Sequence, residues 1–235
     1  MDAARPRGLL PGFANSADLG GLPLPDDRTI LPRRIVRANT PVHLTDEELT
    51  AAQAFGFGTV LDLRSHDELV ERPHPLAQLP GYRWVPLIDP AAEARVDISR
   101  YRTLGEIYSS SLQRNASHIA TIFTALTAAS PGPVLVSCRA GRDRTGMVVA
   151  LLLDLAGVDR EVIAAEYALA PGGSTSDGRT PSSAGRPDQR DIMQMLEHVS
   201  TAHGSTSGYL EWLGVDEAGI GALEARLSDP GGCAV

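Results

Sequence analysis

The sequence predicts an α/β fold: a central, mostly parallel sheet flanked by helices, in a single domain over residues 1–235. Three observations carry this expectation. Short β-branched runs alternate with longer stretches of helical spacing, the pattern of a layered α/β protein. Hydrophobic residues make up 43% of the chain, enough for one sizeable core at this length. Near residue 138 an apolar run, 133–136, passes through a ten-residue stretch into a second apolar run, 147–153. That order reads as a buried strand, a tight turn and a buried helix.

Taken in order, residues 1–14 read as a loose arm. Residues 18–21 and 23–27 carry turn chemistry, and strand candidates follow at 29–31 and 34–37. Thr45-Asp-Glu-Glu48 is a capping box that opens a helix to about Phe55, where Gly56 stops it. A buried strand is expected over 58–63, a second capped helix from Ser65, and a third strand over 82–87. Apolar positions 104, 107, 108, 112, 119, 122, 123 and 126 predict one helix over 104–126. After the strand, loop and helix around residue 138, a helix is expected from Asp159 to about Leu169. Residues 171–188, rich in Gly, Ser and Pro, read as a flexible loop. Helices then cover 192–199, 208–213 and 216–227, ahead of a flexible tail at 229–235.

Composition excludes several functions. All 21 basic residues are Arg, and with no lysine the chain has neither Schiff-base chemistry nor a lysine-dependent nucleotide loop. A net charge of −8 leaves no electrostatic footprint for nucleic acid or an anionic membrane. No stable membrane insertion is expected, because the apolar run from Met147 is too short to span a bilayer. Cys138 and Cys233 are the only cysteines, and the start of the chain lacks a secretory apolar core, so a reduced, cytoplasmic protein is expected. The six histidines lack metal-ligand spacing; no metal and no cofactor are predicted.

Residues 138–146 read Cys-Arg-Ala-Gly-Arg-Asp-Arg-Thr-Gly. A cysteine and an arginine six positions apart, between strand and helix, suit covalent capture of a phosphoryl group. Backbone N–H groups of Arg139, Ala140, Gly141 and Arg142 can curl around one oxyanion at the helix N-terminus. The same positive environment favours the thiolate of Cys138. Arg144 adds a planar fork matched to two phosphate oxygens. Arg139, Arg142 and Arg144 repel one another in so small a loop unless an anion neutralises them.

This loop resembles the signature of the atypical bacterial tyrosine phosphatases. Similarity extends to residues 15–21, 34–37, 44–47, 61–65, 86–89, 157–167 and 208–214, and so covers nearly the whole chain in order. The resemblance implies a cysteine-dependent phosphomonoester phosphatase working through a phosphocysteine. Cys138 would be the nucleophile, Arg144 the phosphate clamp and Asp143 the general acid, since no Trp-Pro-Asp loop is present. Asp89 is a second acidic candidate, for positioning water or substrate; its bland reading is a turn residue at a strand end. Thr145 would donate its hydroxyl to the thiolate. Asp62, Arg64 and Arg37 read as braces for the loop.

Two departures stand out. The family usually has His before the cysteine, where this chain has Ser137, and the family's Lys before the Asp is Arg142. The region of a family lid corresponds to the low-complexity stretch 171–188. The expected partner is a phosphorylated substrate: a phosphoprotein, a phosphoinositide or a phosphometabolite. Two other readings are a small-molecule phosphatase of a biosynthetic pathway and a weakly catalytic phosphoryl-binding module.

Overall fold

A computed structural model describes residues 8–170 and 188–228. Five strands form one sheet in the order β1-β2-β5-β3-β4. They are β1 (Ala17–Asp18), β2 (Ile35–Asn39), β3 (Thr59–Asp62), β4 (Tyr82–Trp84) and β5 (Val134–Cys138). β2, β5, β3 and β4 run parallel, and β1 pairs antiparallel with β2. β5 is the middle strand and is buried at every position, flanked by Ile35–Asn39 on one side and Thr59–Asp62 on the other. Its register places Cys138 beside Asn39 at the carboxyl end of the sheet, the edge at which parallel α/β sheets bind ligands.

Side chains alternate across β5, so its two faces feed two cores. Val134, Val136 and Cys138 face the larger core, with Leu61, Phe123 and Val149. Leu135 faces a smaller one, with Phe13, Val36, Val60 and Leu76. Ten helices surround the sheet among the described residues. α1 (Asp46–Ala54) and α2 (His66–Glu71) both begin with complete capping boxes, from Thr45 with Glu48 and from Ser65 with Glu68. Gly56 ends the first of these in the left-handed region, at φ 79°. α3 (Pro90–Glu93) and a 3₁₀ turn (Ile98–Arg100) lie in the connector after β4, where no element was expected. α4 (Leu104–Arg114), α5 (Ala116–Thr127), α6 (Asp143–Leu155), α7 (Arg160–Ala168), α8 (Gln189–His203), α9 (Thr206–Trp212) and α10 (Glu217–Ser228) follow.

Several expectations are corrected. The single helix over 104–126 is two helices, broken at Asn115, whose φ −104° and ψ 21° are not helical. Asn115 is fully buried and bonds elsewhere: its Nδ2 donates to Glu93 Oε1 (3.0 Å) and Ser111 Oγ (2.8 Å), and its Oδ1 accepts from Asp89 N (2.7 Å). Apolar spacing continues through the break and hides it. The strand over 29–31 reduces to one bridge between Pro23 and Thr29. The arm is not loose over residues 8–14. Leu10 and Phe13 are 2% and 0% exposed and close the smaller core, and Gly8 N and Leu10 N donate to Ser16 O and Ser16 Oγ. Residues 1–7, 171–187 and 229–235 lie outside the described residues, with the loop and tail expectations that fall on them; Asp188 caps α8. Among the described residues no helix is long and apolar enough to cross a membrane.

Candidate active site

Residues 139–142 link the end of β5 to the start of α6 and form a cradle whose carbonyls are tied outward. Asn15 Nδ2 donates to Ala140 O (3.1 Å) and Gly141 O (2.8 Å), and a guanidinium nitrogen of Arg37 donates to Gly141 O (2.5 Å). Arg37 is itself fully buried and paired with Glu166 at 2.7 Å. A peptide plane points its N–H opposite its C=O. Fixing the carbonyls of Ala140 and Gly141 therefore turns the N–H groups of Gly141 and Arg142 to the other side. Gly141 has φ 65°, and a Cβ there would overlap the Ala38 carbonyl. Only glycine lets the loop lie this close to β2. α6, 13 residues long, starts with no side-chain cap, which leaves its first N–H groups for an anion.

Cys138 is buried at the strand end. The Arg144 guanidinium, within electrostatic reach of Cys138, is gripped by both oxygens of Glu68, at 2.5 and 2.8 Å. Burial alone would raise the Glu68 carboxyl, but the Arg144 fork and the Ser65 donors outweigh it and hold it at about 2, against a usual 4.5. Glu68 is thus both the capping-box acid of α2 and the holder of Arg144. Arg64 anchors that helix from below: it pairs with Asp62 at 2.7 Å and donates to Glu68 O (3.3 Å) and Arg72 O (2.8 Å). Asp62, Arg64 and Arg37 are braces in this arrangement.

Asp143 lies at the first position of α6 and accepts from Tyr108 Oη at 2.5 Å and from Arg142 Nε at 3.1 Å. The Tyr108 hydroxyl also meets that of Tyr167 at 2.7 Å. Asp143, Arg144 and Tyr108 are among the residues that line a cavity of about 310 Å³. Its remaining walls are largely apolar, from Ile88, Ile98, Leu104, Ile107 and Met147. Glu93 and Arg114 also reach it, but they neutralise each other at 3.0 Å.

The remaining sequence candidates divide. Thr145 Oγ1 is buried in the first turn of α6 with no hydrogen-bond partner among the described residues. Arg142 is buried beside Asp143, while Arg139 and Ala140 are exposed on the rim. Asp89 caps α3 by accepting from Ala91 N (2.9 Å), and its neighbours Ile88 and Glu93 line the cavity.

A profile described as the tyrosine phosphatase family matches residues 9–229. The chain belongs to this family. A tyrosine-protein phosphatase of Nostoc commune is 31% identical over 80% of this chain and 72% of its own length. The triple specificity protein phosphatase PtpB of Mycobacterium tuberculosis is 30% identical over 67% of each chain. Among solved structures, that of P. aeruginosa TpbA has a TM-score of 0.37 at 18% identity, over 77% of this chain and 86% of that chain.

In this family member, Ser137 is wholly buried on the face of β5 opposite Cys138, and its hydroxyl links two groups. Leu76 N donates to His74 Nδ1 (3.0 Å), so the His74 proton is on Nε2 and points at Ser137 Oγ (3.2 Å). Ser137 Oγ in turn donates to Leu61 O (3.3 Å). Burial lowers His74 to about 4, which keeps it neutral. An imidazole thus reaches the residue before the cysteine from a different segment. Sequence reasoning missed Glu68, Tyr108 and His74. Glu68 carried a signal, as the acid of a capping box close to a predicted brace; Tyr108 and His74 carried none.

Proposed function

We propose that the chain hydrolyses phosphomonoesters through a phosphocysteine, with an aromatic leaving group and phosphotyrosine as the preferred substrate. The outward tying of the Ala140 and Gly141 carbonyls carries this reading, because it points N–H donors toward an anion beside Cys138. Cys138 Sγ attacks phosphorus as the ester P–O bond breaks, and Asp143 gives its proton to the departing oxygen. Water then attacks phosphorus and the S–P bond breaks. Asp143 takes the water proton, and inorganic phosphate and the thiolate are released. Arg144 and the loop N–H groups neutralise the equatorial oxygens in both steps. The apolar cavity beside Asp143 and Arg144 favours a ring-sized, uncharged leaving group over a second phosphate, since its Arg114 is already paired with Glu93.

The test is phosphate release from phosphotyrosine and phosphoserine peptides, phosphoinositides, nucleotides and sugar phosphates, with Cys138→Ser as the blank. Phosphotyrosine should be turned over fastest, and Cys138→Ser should lose at least about 10³-fold in kcat while still binding the ester. Near-native turnover by Cys138→Ser would sink the covalent route. A preference for nucleotides or sugar phosphates would replace the aryl substrate with a metabolite. Silence across the whole panel would leave a binding role.

A further inference from the structure

We propose that Tyr108 is a positioning residue for proton transfer at Asp143, sending the acid's proton to Oδ2, with Tyr167 as its anchor. The proposal rests on the reading of Asp143 as the acid. Tyr108 Oη donates to Asp143 Oδ1 at 2.5 Å, and its oxygen lies 2.7 Å from that of Tyr167. With the Tyr108 proton committed to the carboxylate, the hydrogen between the two hydroxyls comes from Tyr167. Tyr167, Tyr108 and Asp143 thus form a chain of hydrogen bonds that all point one way, and each bond polarises the next.

The three groups sit on three different elements, α7, α4 and α6, and their geometry is held by packing. The tyrosine rings meet edge to face, 6.3 Å apart at 85°. A Cβ on Gly146 would come within 2.8 Å of the Tyr167 ring, so the final glycine of the loop motif is what admits that ring against α6. Burial first, and then the Asp143 charge, raise both phenols above their usual range, so both remain donors at any working pH.

A carboxylic acid carries its proton on one oxygen and accepts hydrogen bonds on the other. A fixed donor on Oδ1 makes Oδ1 the acceptor and leaves Oδ2 to hold the proton. Arg142 Nε spans both oxygens, at 3.2 and 3.1 Å, and does not distinguish them. Tyr108 does. As the proton leaves Oδ2, charge grows on the carboxylate and the Tyr108 bond strengthens, so the stabilisation is larger in the transition state than in the ground state.

The experiment compares kcat/KM for phenyl phosphate and 2,4-dinitrophenyl phosphate in wild type, Tyr108→Phe and Tyr167→Phe. Phenolate needs a proton to leave, whereas dinitrophenolate leaves without one. Tyr108→Phe should lower kcat/KM for phenyl phosphate about tenfold and that for the dinitrophenyl ester by no more than about twofold. Tyr167→Phe, which removes only the outer bond, should cost about threefold on phenyl phosphate alone. Because both esters are read on one preparation, their ratio does not depend on how much of a variant folds. An equal fall on both esters, or no fall on either, overturns the role of Tyr108 and leaves the phosphatase reading standing. A wild-type protein that turns over neither ester overturns both.

Discussion

Ser137 shows how little one position says without its surroundings. Its side chain has no exposed surface, and its oxygen already accepts from His74 and donates to Leu61 O. Restoring the family's usual residue by Ser137→His would force two imidazoles into one buried slot and strand the polar atoms of one of them. The expected cost is about 2–5 kcal/mol, from overpacking plus an unsatisfied buried donor. Adding His74→Ser should return at least half of that loss, since the imidazole then changes segment rather than number. Urea melts of the two single variants and the double variant check this; an unchanged midpoint for Ser137→His alone would refute the crowding. Glu68 gives the same lesson: a helix-capping acid in the sequence is, in the fold, also the clamp on Arg144.

Among the elements, the connector from β4 to α4 gives Ile88, Glu93 and Ile98 to the cavity wall, and residues at the α4–α5 break bond to that connector. Arg114 pairs with Glu93 and also donates to Tyr101 Oη and Ser110 Oγ, while Asn115 bonds Glu93 and Asp89 N. Asn115→Ala removes three hydrogen bonds, one of them fully buried, and leaves Asp89 N and Ser111 without their partner. The variant should lose about 2–4 kcal/mol of stability by denaturant melt, and its KM for an aryl phosphate should rise several-fold with kcat less affected. A KM equal to wild type would mean that the connector does not shape the cavity. This break could not be read from periodicity, because a buried Asn with remote partners leaves the apolar rhythm intact. The capping boxes of α1 and α2 could be read, because Thr45 with Glu48 and Ser65 with Glu68 satisfy one another three residues apart.

Across the whole molecule, stability should fall with acid in two successive windows. His74 is buried neutral, and its value drops from 6.5 unfolded to about 4 folded, because burial outweighs the Asp62 charge. A depressed folded value means that its contribution is complete above pH 6.5 and is lost as pH falls toward 4. The loss is on the order of 3 kcal/mol. Glu68 follows lower down, between 4.5 and about 2, as its grip on Arg144 is protonated away. Denaturant melts from pH 7 to 4 should show the first window, and His74→Gln should flatten it. A wild-type stability independent of pH over that range would remove His74 as the cause.

The central parallel strands, the loop after Cys138 and α6 were legible in the residues because each is written contiguously. An apolar strand, a glycine-bearing turn and an apolar helix determine one another over a few positions. The clasp that makes the loop a cradle was not legible. Asn15 reaches Gly141 across 126 residues, Glu68 reaches Arg144 across 76, His74 reaches Ser137 across 63 and Tyr108 reaches Asp143 across 35. Spacing along the chain records which residues share a face, but not which faces meet. Strand register and helix packing made those pairings, and with them the orientation of every donor around Cys138.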